Sequence, residues 1–410
     1  MRGWYRANIG GLPGTFWYLW AGFLINKLGG FGVIFLSLYL VQDRGLDTTG
    51  AGLVVGLYGA GGCAGVLAGG VLADRWGRRR TLLASHAATT LLLAGLAFAP
   101  WIPAIAVLTG LVGAAQSMVG PPLIAAMVDI VPGGQRTKAF NLEFWAFNLG
   151  TAIAAPLAGL LAETGFTPLF LVEAGATLVT FVVLAARVPE TLPVRAAAAR
   201  PAGRRRGLLT TLTDRPYLLF VGLTLVLAVL TLQTTTILPL AMAEDHLRPS
   251  VYGSVMGFTG IMIVCGQLFV PRLIGGRRKA RVLAAANGLI AVGTGLVAVA
   301  DVVPVYLAAA VVWTIGQMLA APPNAATIAE LSPVELRGRY QAVFYLSFPI
   351  AAFVAPALGG ASLQRLGGWH WVVCGVLGAL AAAGHLLTGP SRERRAAVLR
   401  EADREPATAA

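Results

Sequence analysis

Gly70-Val71-Leu72-Ala73-Asp74-Arg75-Trp76-Gly77-Arg78-Arg79-Arg80 sets one acid and four arginines in a turn between two long apolar stretches. The chain around it has 410 residues, of which 57% are hydrophobic and only 12% charged, with a mean hydropathy of +0.74. A soluble domain carries about 25% charged residues to cover its surface. This chain lacks that cover, so its solvent is a bilayer. A charged turn of this density marks a place where the chain leaves the bilayer and turns back.

Outward from that turn, twelve apolar segments are each long enough to cross as a helix of about 20 residues. They run over 15–41, 49–72, 81–99, 103–128, 138–162, 167–187, 216–241, 250–274, 282–300, 304–329, 340–363 and 369–388. Helices are expected because lipid cannot satisfy an open backbone and the alternation of a membrane barrel is absent. With the N-terminus inside, 27 of the 31 basic residues fall in cytoplasmic loops, Arg44, Arg248 and Arg365 fall outside, and Lys27 lies within a span. This asymmetry predicts a multi-pass protein of the plasma (inner) membrane with both termini cytoplasmic. It also explains the net charge of +13 through positive loops and anionic lipid, without a nucleic-acid partner.

The Ala-, Pro- and Arg-rich stretch 188–215 divides the spans six and six. The expected organisation is a six-helix bundle over 1–187, a cytoplasmic linker over 188–215, a second bundle over 216–389, and a polar, mobile cytoplasmic tail over 390–410. The halves repeat. Gln116 and Pro121-Pro122 align with Gln317 and Pro322-Pro323 at an offset of 201, as do Asp129 with Glu330 and Arg136 with Arg337. Ala155-Pro156 and Gly159 align with Ala355-Pro356 and Gly359 at an offset of 200. Pro121, Pro122, Pro156, Pro322, Pro323 and Pro356 are expected to kink their helices.

The run 70–80 resembles the loop signature of the major facilitator superfamily, G-x-x-x-D-R/K-x-G-R-R/K, and matches every fixed position. The resemblance implies an all-α membrane fold of twelve transmembrane helices in two pseudo-symmetric six-helix bundles, with this loop joining the second and third helices in the cytoplasm. It implies a conformational latch made by Gly70, Asp74, Arg75, Gly77, Arg78 and Arg79, in which the acid closes the cytoplasmic side against the start of the eleventh helix near Arg339. The equivalent loop of the second half keeps the basic cluster Arg277-Arg278-Lys279 but has no aspartate. Residues 151–160 resemble the antiporter signature G-x-x-x-G-P-x-x-G-G at Pro156 and Gly159, while Thr151, Ala155 and Leu160 replace glycines. The fourth helix lacks the arginine that many drug:proton antiporters carry there.

Ionisable groups inside spans each cost roughly 2.5–3.5 kcal/mol on insertion scales, so each calls for a reason. Lys27, Glu143 and Glu173 have no ionisable counterpart in the second half. With Asn26 they are the candidates for proton coupling or substrate binding. Gln116, Phe147, Asn148, Gln233, Gln317, Asn324 and Tyr345 are candidates to line a cavity of amides and aromatic rings, which suits large, weakly polar or cationic molecules. Small-residue rows, Gly61/Gly65/Gly69 above all, predict close helix crossings. Cys63, Cys265 and Cys374 fall in spans with no disulfide spacing and read as small core residues.

The reading that results is a monomeric secondary transporter, not an enzyme, of the drug:proton antiporter-like branch. It moves a small-molecule substrate across the lipid bilayer by alternating access, with protons as coupling ion and no cofactor or metal. No P-loop occurs, so ATP is not its direct energy source. The alternatives are a proton-linked uptake carrier for a small polar solute, and a polytopic membrane enzyme or sensor. An enzyme would gather carboxylates, His or Cys at one bilayer depth, whereas here they are scattered.

Overall fold

The computed structural model describes residues 10–192, 211–267, 269–333 and 336–402, and helices cover almost all of these. No strand occurs among the described residues. Among the described residues eleven helices are long and apolar enough to cross a membrane: Gly14–Gln42, Thr48–Arg75, Ile102–Ile130, Gly133–Ala162, Thr167–Arg187, Arg215–Thr236, Pro249–Gly266, Lys279–Val299, Val303–Leu331, Arg339–Leu366 and Trp369–Glu401. Arg78–Ala97, the third in chain order, completes the set of twelve. It is 20 residues long, but Arg78, Arg79, Arg80 and His86 lower its hydropathy. The spans are numbered below in chain order, so Thr48–Arg75 is the second and Trp369–Ala402 the twelfth. Large apolar side chains on the outer faces, such as Leu91 (74% exposed) and Leu387 (81%), suit contact with lipid.

Packing groups the spans into two units. The first holds spans one to six together with Pro239–Val264, which includes most of the eighth span, and the second holds the rest. The eighth span therefore packs on the first unit, although it lies in the second half of the chain. Small residues explain this. Gly253, Gly257 and Gly260 lie directly against Ala155, Pro156 and Ala152 of the fifth span, with no room for a Cβ. Lipid supplies no hydrophobic drive between helices, so close backbone approach decides which helices pair. Inside each unit the pairings repeat. The first span packs on the fifth and sixth as the seventh packs on the eleventh and twelfth, and the third packs on the sixth as the ninth does on the twelfth.

The second and fourth spans cross on the expected glycine ladder. A Cβ at Gly61, Gly65 or Gly69 would strike the carbonyl oxygen of Gly110, Ala114 or Met118. The Met118 carbonyl is freed because its helical partner would be Pro122, which has no N–H. Here the fourth span divides into Ile102–Ser117 and Gly120–Ile130. The tenth span carries the equivalent Pro322-Pro323 yet runs unbroken from Val303 to Leu331. Ala321 precedes its prolines where Gly120 precedes the first pair, and Gly disfavours helix by about 1 kcal/mol relative to Ala.

Two expectations about polar segments meet different outcomes. Of the linker, 193–210 lie outside the described residues. Of the tail, the part up to Ala402 is helical, the twelfth helix continuing through Pro390, and 403–410 lie outside the described residues. Pro390 cannot satisfy the carbonyl four residues back. Arg392 folds beside that gap and donates to the His385 carbonyl at 2.8 Å. Among the cysteines Cys374 is buried and Cys265 is exposed, so the latter is not a core residue.

Candidate functional site

The first span breaks at Gly29-Gly30-Phe31, between helices Gly14–Leu28 and Gly32–Gln42. Two adjacent glycines weaken the helix, and the missing side chains let the break sit against the sixth span, where a Cβ on Gly29 would strike Ala176. The break leaves the first N–H groups of the second piece without helical partners. Glu173 of the sixth span answers them: its Oε2 accepts from the Gly32 N–H at 2.6 Å. Its other oxygen accepts from Gln116 Nε2 at 2.8 Å, and Gln116 Oε1 accepts from the Tyr58 hydroxyl at 2.8 Å. Spans one, two, four and six thus meet through one buried carboxylate, only 4% exposed.

Lys27 lies in the last turn before the break. Its ammonium stands 5.0 Å from the ring centre of Phe147 and 5.5 Å from that of Phe23, a cation–π arrangement. Among the described residues no carboxylate lies within ion-pair distance of it, while Glu173 and Glu143 are near enough to act on it electrostatically. Glu143 borders a small crevice with Phe16, Phe23, Leu123 and Met127. Asn26 Nδ2 donates to Thr177 Oγ1 at 3.3 Å. The structure therefore gathers Lys27, Asn26, Glu143, Glu173 and Gln116 around the break, with the exposed Phe147 ring against Lys27. It adds Tyr58 and Thr177, which sequence reasoning missed. A lone tyrosine in the Gly-rich second span was the available signal for Tyr58. Asn148 sits apart from this network, buried and donating to the Phe144 carbonyl within its own helix at 2.9 Å.

The loop 70–80 is a junction of helix ends. Gly77 has φ +114°, a value that only glycine adopts readily. Beside it, where a Cβ would collide, lies the carboxylate of Glu190. Glu190 Oε1 accepts from the N–H groups of Arg78 (2.8 Å) and Arg79 (3.4 Å), capping the third span from beyond the sixth. Arg78 pairs with Asp129 at the end of the fourth span at 3.1 Å and donates to the Ala73 carbonyl at 3.1 Å. Arg79 donates to the Ala185 carbonyl at 2.7 Å. Asp74 and Gly70 lie on the last turns of the second span, and Arg75 is exposed.

Burial alone would push the Glu190 carboxyl up, but backbone N–H groups of Leu192, Arg79, Arg78 and Arg80 outweigh it and hold the group below the usual carboxylate range. A lowered folded value means that the cap stabilises the loop above the ordinary Glu range of about 4.3. That contribution is lost as pH falls through the lowered value. Thermal unfolding of the purified protein is expected to show this acid-side loss, within about 1 kcal/mol because the group is largely exposed. In Glu190→Gln the acid-side slope should disappear; an unchanged slope would assign it to another carboxylate.

The repeat carries one element of this junction into the second unit. Lys279 and Glu330, each 201 positions beyond Arg78 and Asp129, form the matching ion pair. The anchoring acid there is Asp214, which accepts from the Tyr217 N–H (3.3 Å) and the Tyr340 hydroxyl (2.9 Å) and pairs with Arg395 (3.2 Å). The remaining candidates do not form one cluster. Gln233 is buried and donates to the Ala355 carbonyl at 3.1 Å. Asn324 is buried, Gln317 half-buried, and Tyr345 exposed in a ring cluster with Phe344 and Phe348. Among the described residues no three His, Cys, Asp or Glu side chains are grouped to hold a metal.

The family model described as Major Facilitator Superfamily matches residues 19–280 and 234–409. The chain is 27% identical to the uncharacterized MFS-type transporter YttB of Bacillus subtilis, over 81% of this chain and 83% of that one. It is 25% identical to the multidrug resistance protein MdtH of Aeromonas hydrophila, over 88% and 92%. Among solved structures, a POT family transporter in complex with 5-aminolevulinic acid superposes with a TM-score of 0.81 at 13% identity, over 94% and 98% of the two chains. That likeness is one of fold.

Proposed function

The chain belongs to the Major Facilitator Superfamily, and from that membership we propose that it is a proton-linked exporter of drugs or metabolites. At the coarser level it is a secondary active transporter, not an enzyme, that moves a small molecule across a membrane by alternating access. The observation that carries the finer reading is the cation at the break of the first span. Lys27 stands between two aromatic rings, with Glu173 and Glu143 within electrostatic reach. A cation and carboxylates held in low dielectric exchange protons and ligands against one another, because each desolvated charge depends on its neighbour. MdtH supports export as the direction.

The test uses everted membrane vesicles carrying the full-length protein. With the lumen acidified, substrate should accumulate, and an uncoupler should abolish the accumulation. Loading that ignores the uncoupler overturns proton coupling. Accumulation only in right-side-out vesicles overturns export in favour of uptake.

Within this reading Asp74, with Gly70, Arg75, Gly77, Arg78 and Arg79, holds one of the two access states. An ion pair worth about 1 kcal/mol shifts a two-state balance about fivefold. Asp74→Asn is therefore expected to slow transport about fivefold with normal membrane insertion. Wild-type rates in that variant would remove the latch role.

A further inference from the structure

The geometry points to a binding site for an anionic phospholipid in the second unit, at the start of the ninth span. A cavity of about 570 Å³ opens there. Arg277, Arg278 and Arg281 form its rim, and Val282, Ala285 and Leu319 belong to its apolar lining. Among the described residues no carboxylate lines it. Arg278, Arg281, Val282 and Ala285 follow the i, i+3, i+4, i+7 pattern and share one face of the helix. Charge thus gives way to apolar surface along the helix axis. Ala285 lies about 6 Å deeper than Arg281 at 1.5 Å per residue. A phosphate headgroup with an acyl chain beneath it has the same order.

The first unit shows what this position holds when the chain supplies the anion itself. There the Glu190 carboxylate caps the N–H groups of Arg78 and Arg79, and the arginines are tied to Asp129 and to the Ala73 and Ala185 carbonyls. At the offset of 201 those capped groups become Lys279 and Ala280. Among the described residues no side chain caps the helix there. Lys279 and Glu330 satisfy each other. Arg277, Arg278 and Arg281 are exposed, and among the described residues no acid pairs with them. A helix N-terminus with three arginines is an anion site by charge and by dipole. The apolar lining selects a lipid over a soluble phosphate. Under the positive-inside orientation the rim lies at the cytoplasmic leaflet, where anionic lipid is available. The assignment does not depend on which molecule is transported.

The test is native mass spectrometry of the purified full-length protein titrated with phosphatidylglycerol or phosphatidylcholine. Phosphatidylglycerol should bind preferentially to the wild type. Arg277→Gln, Arg278→Gln and Arg281→Gln should weaken it by about fivefold per arginine removed. Arg272→Gln, outside the cavity, should leave it unchanged. Ala285→Trp keeps every arginine but fills the floor, and should also weaken binding. The single Arg281→Gln variant serves if the triple variant fails to fold. Binding within twofold of wild type in the arginine variants overturns the site. So does full retention in Ala285→Trp, or displacement of the lipid by inorganic phosphate at matched concentration.

Discussion

Lys27→Ala is expected to lower substrate movement in energised vesicles about a hundredfold, while the protein still inserts and purifies normally. Insertion should not suffer, because removing a charge from a span relieves a cost of roughly 2.5–3.5 kcal/mol. The loss falls on function. A contact with a charged group in low dielectric contributes up to about 3 kcal/mol, which is roughly a hundredfold in rate. Lys27→Ala removes the cation between Phe23 and Phe147 and leaves Glu173 and Glu143 without their nearby positive charge. Lys27→Arg separates two roles. Arginine keeps the charge and the ring contacts but does not release its proton. Substrate binding without proton-driven accumulation in Lys27→Arg would make Lys27 a proton carrier. Full transport in Lys27→Arg would make it an electrostatic anchor alone. Wild-type accumulation in Lys27→Ala would remove the first-span site from the mechanism.

Gly65→Val is expected to reduce the yield of folded protein more than tenfold. The Cβ alone would strike the Ala114 carbonyl, and Gly61 and Gly69 are blocked in the same way one turn to either side. The obstacle is backbone, which cannot rotate away as a side chain can. Overpacking of movable groups costs about 1–3 kcal/mol, and here the two spans must separate instead. A separation would also pull Tyr58 from Gln116, and with it the chain of hydrogen bonds to Glu173. Gly288→Ala provides the contrast, since nothing lies within 4 Å of a Cβ there. It should be neutral, or stabilising by up to about 1 kcal/mol, the helix preference for Ala over Gly. Fluorescence-detected size exclusion of detergent extracts measures both variants. Equal yields for Gly65→Val and wild type would mean that the second and fourth spans do not cross at this ladder.

Much of the architecture was legible because the bilayer limits the choices. Twenty apolar residues must form a helix to satisfy their own backbone, so the spans could be counted from hydropathy and from the placement of arginine, although the expected spans 216–241 and 250–274 overrun helices that end at Thr236 and Gly266. The repeat was legible because prolines, acids and arginines recur at 201. It led as far as Lys279 and Glu330, whose pairing repeats that of Arg78 and Asp129. Glu190 was not legible as a cap, since nothing in Pro189-Glu190-Thr191 says which helix it will meet. Tyr58 was hidden among small residues for the same reason. The continuation of the last helix to Ala402 escaped a hydropathy reading because Arg392 and Arg395 are polar in sequence. In the fold they are bound to His385 and Asp214.

The loop 70–80 holds both sides of this division. Its arginines and its place between apolar stretches determined from sequence alone that the chain leaves the bilayer and turns back here, because charge and hydropathy act on each segment independently of its neighbours. What Arg78, Gly77 and the break near Lys27 do was decided only in three dimensions. A hydrogen bond needs its partner within about 3 Å. The partners here, Asp129, Glu190 and Glu173, lie dozens of residues or more away along the chain and arrive by helix packing.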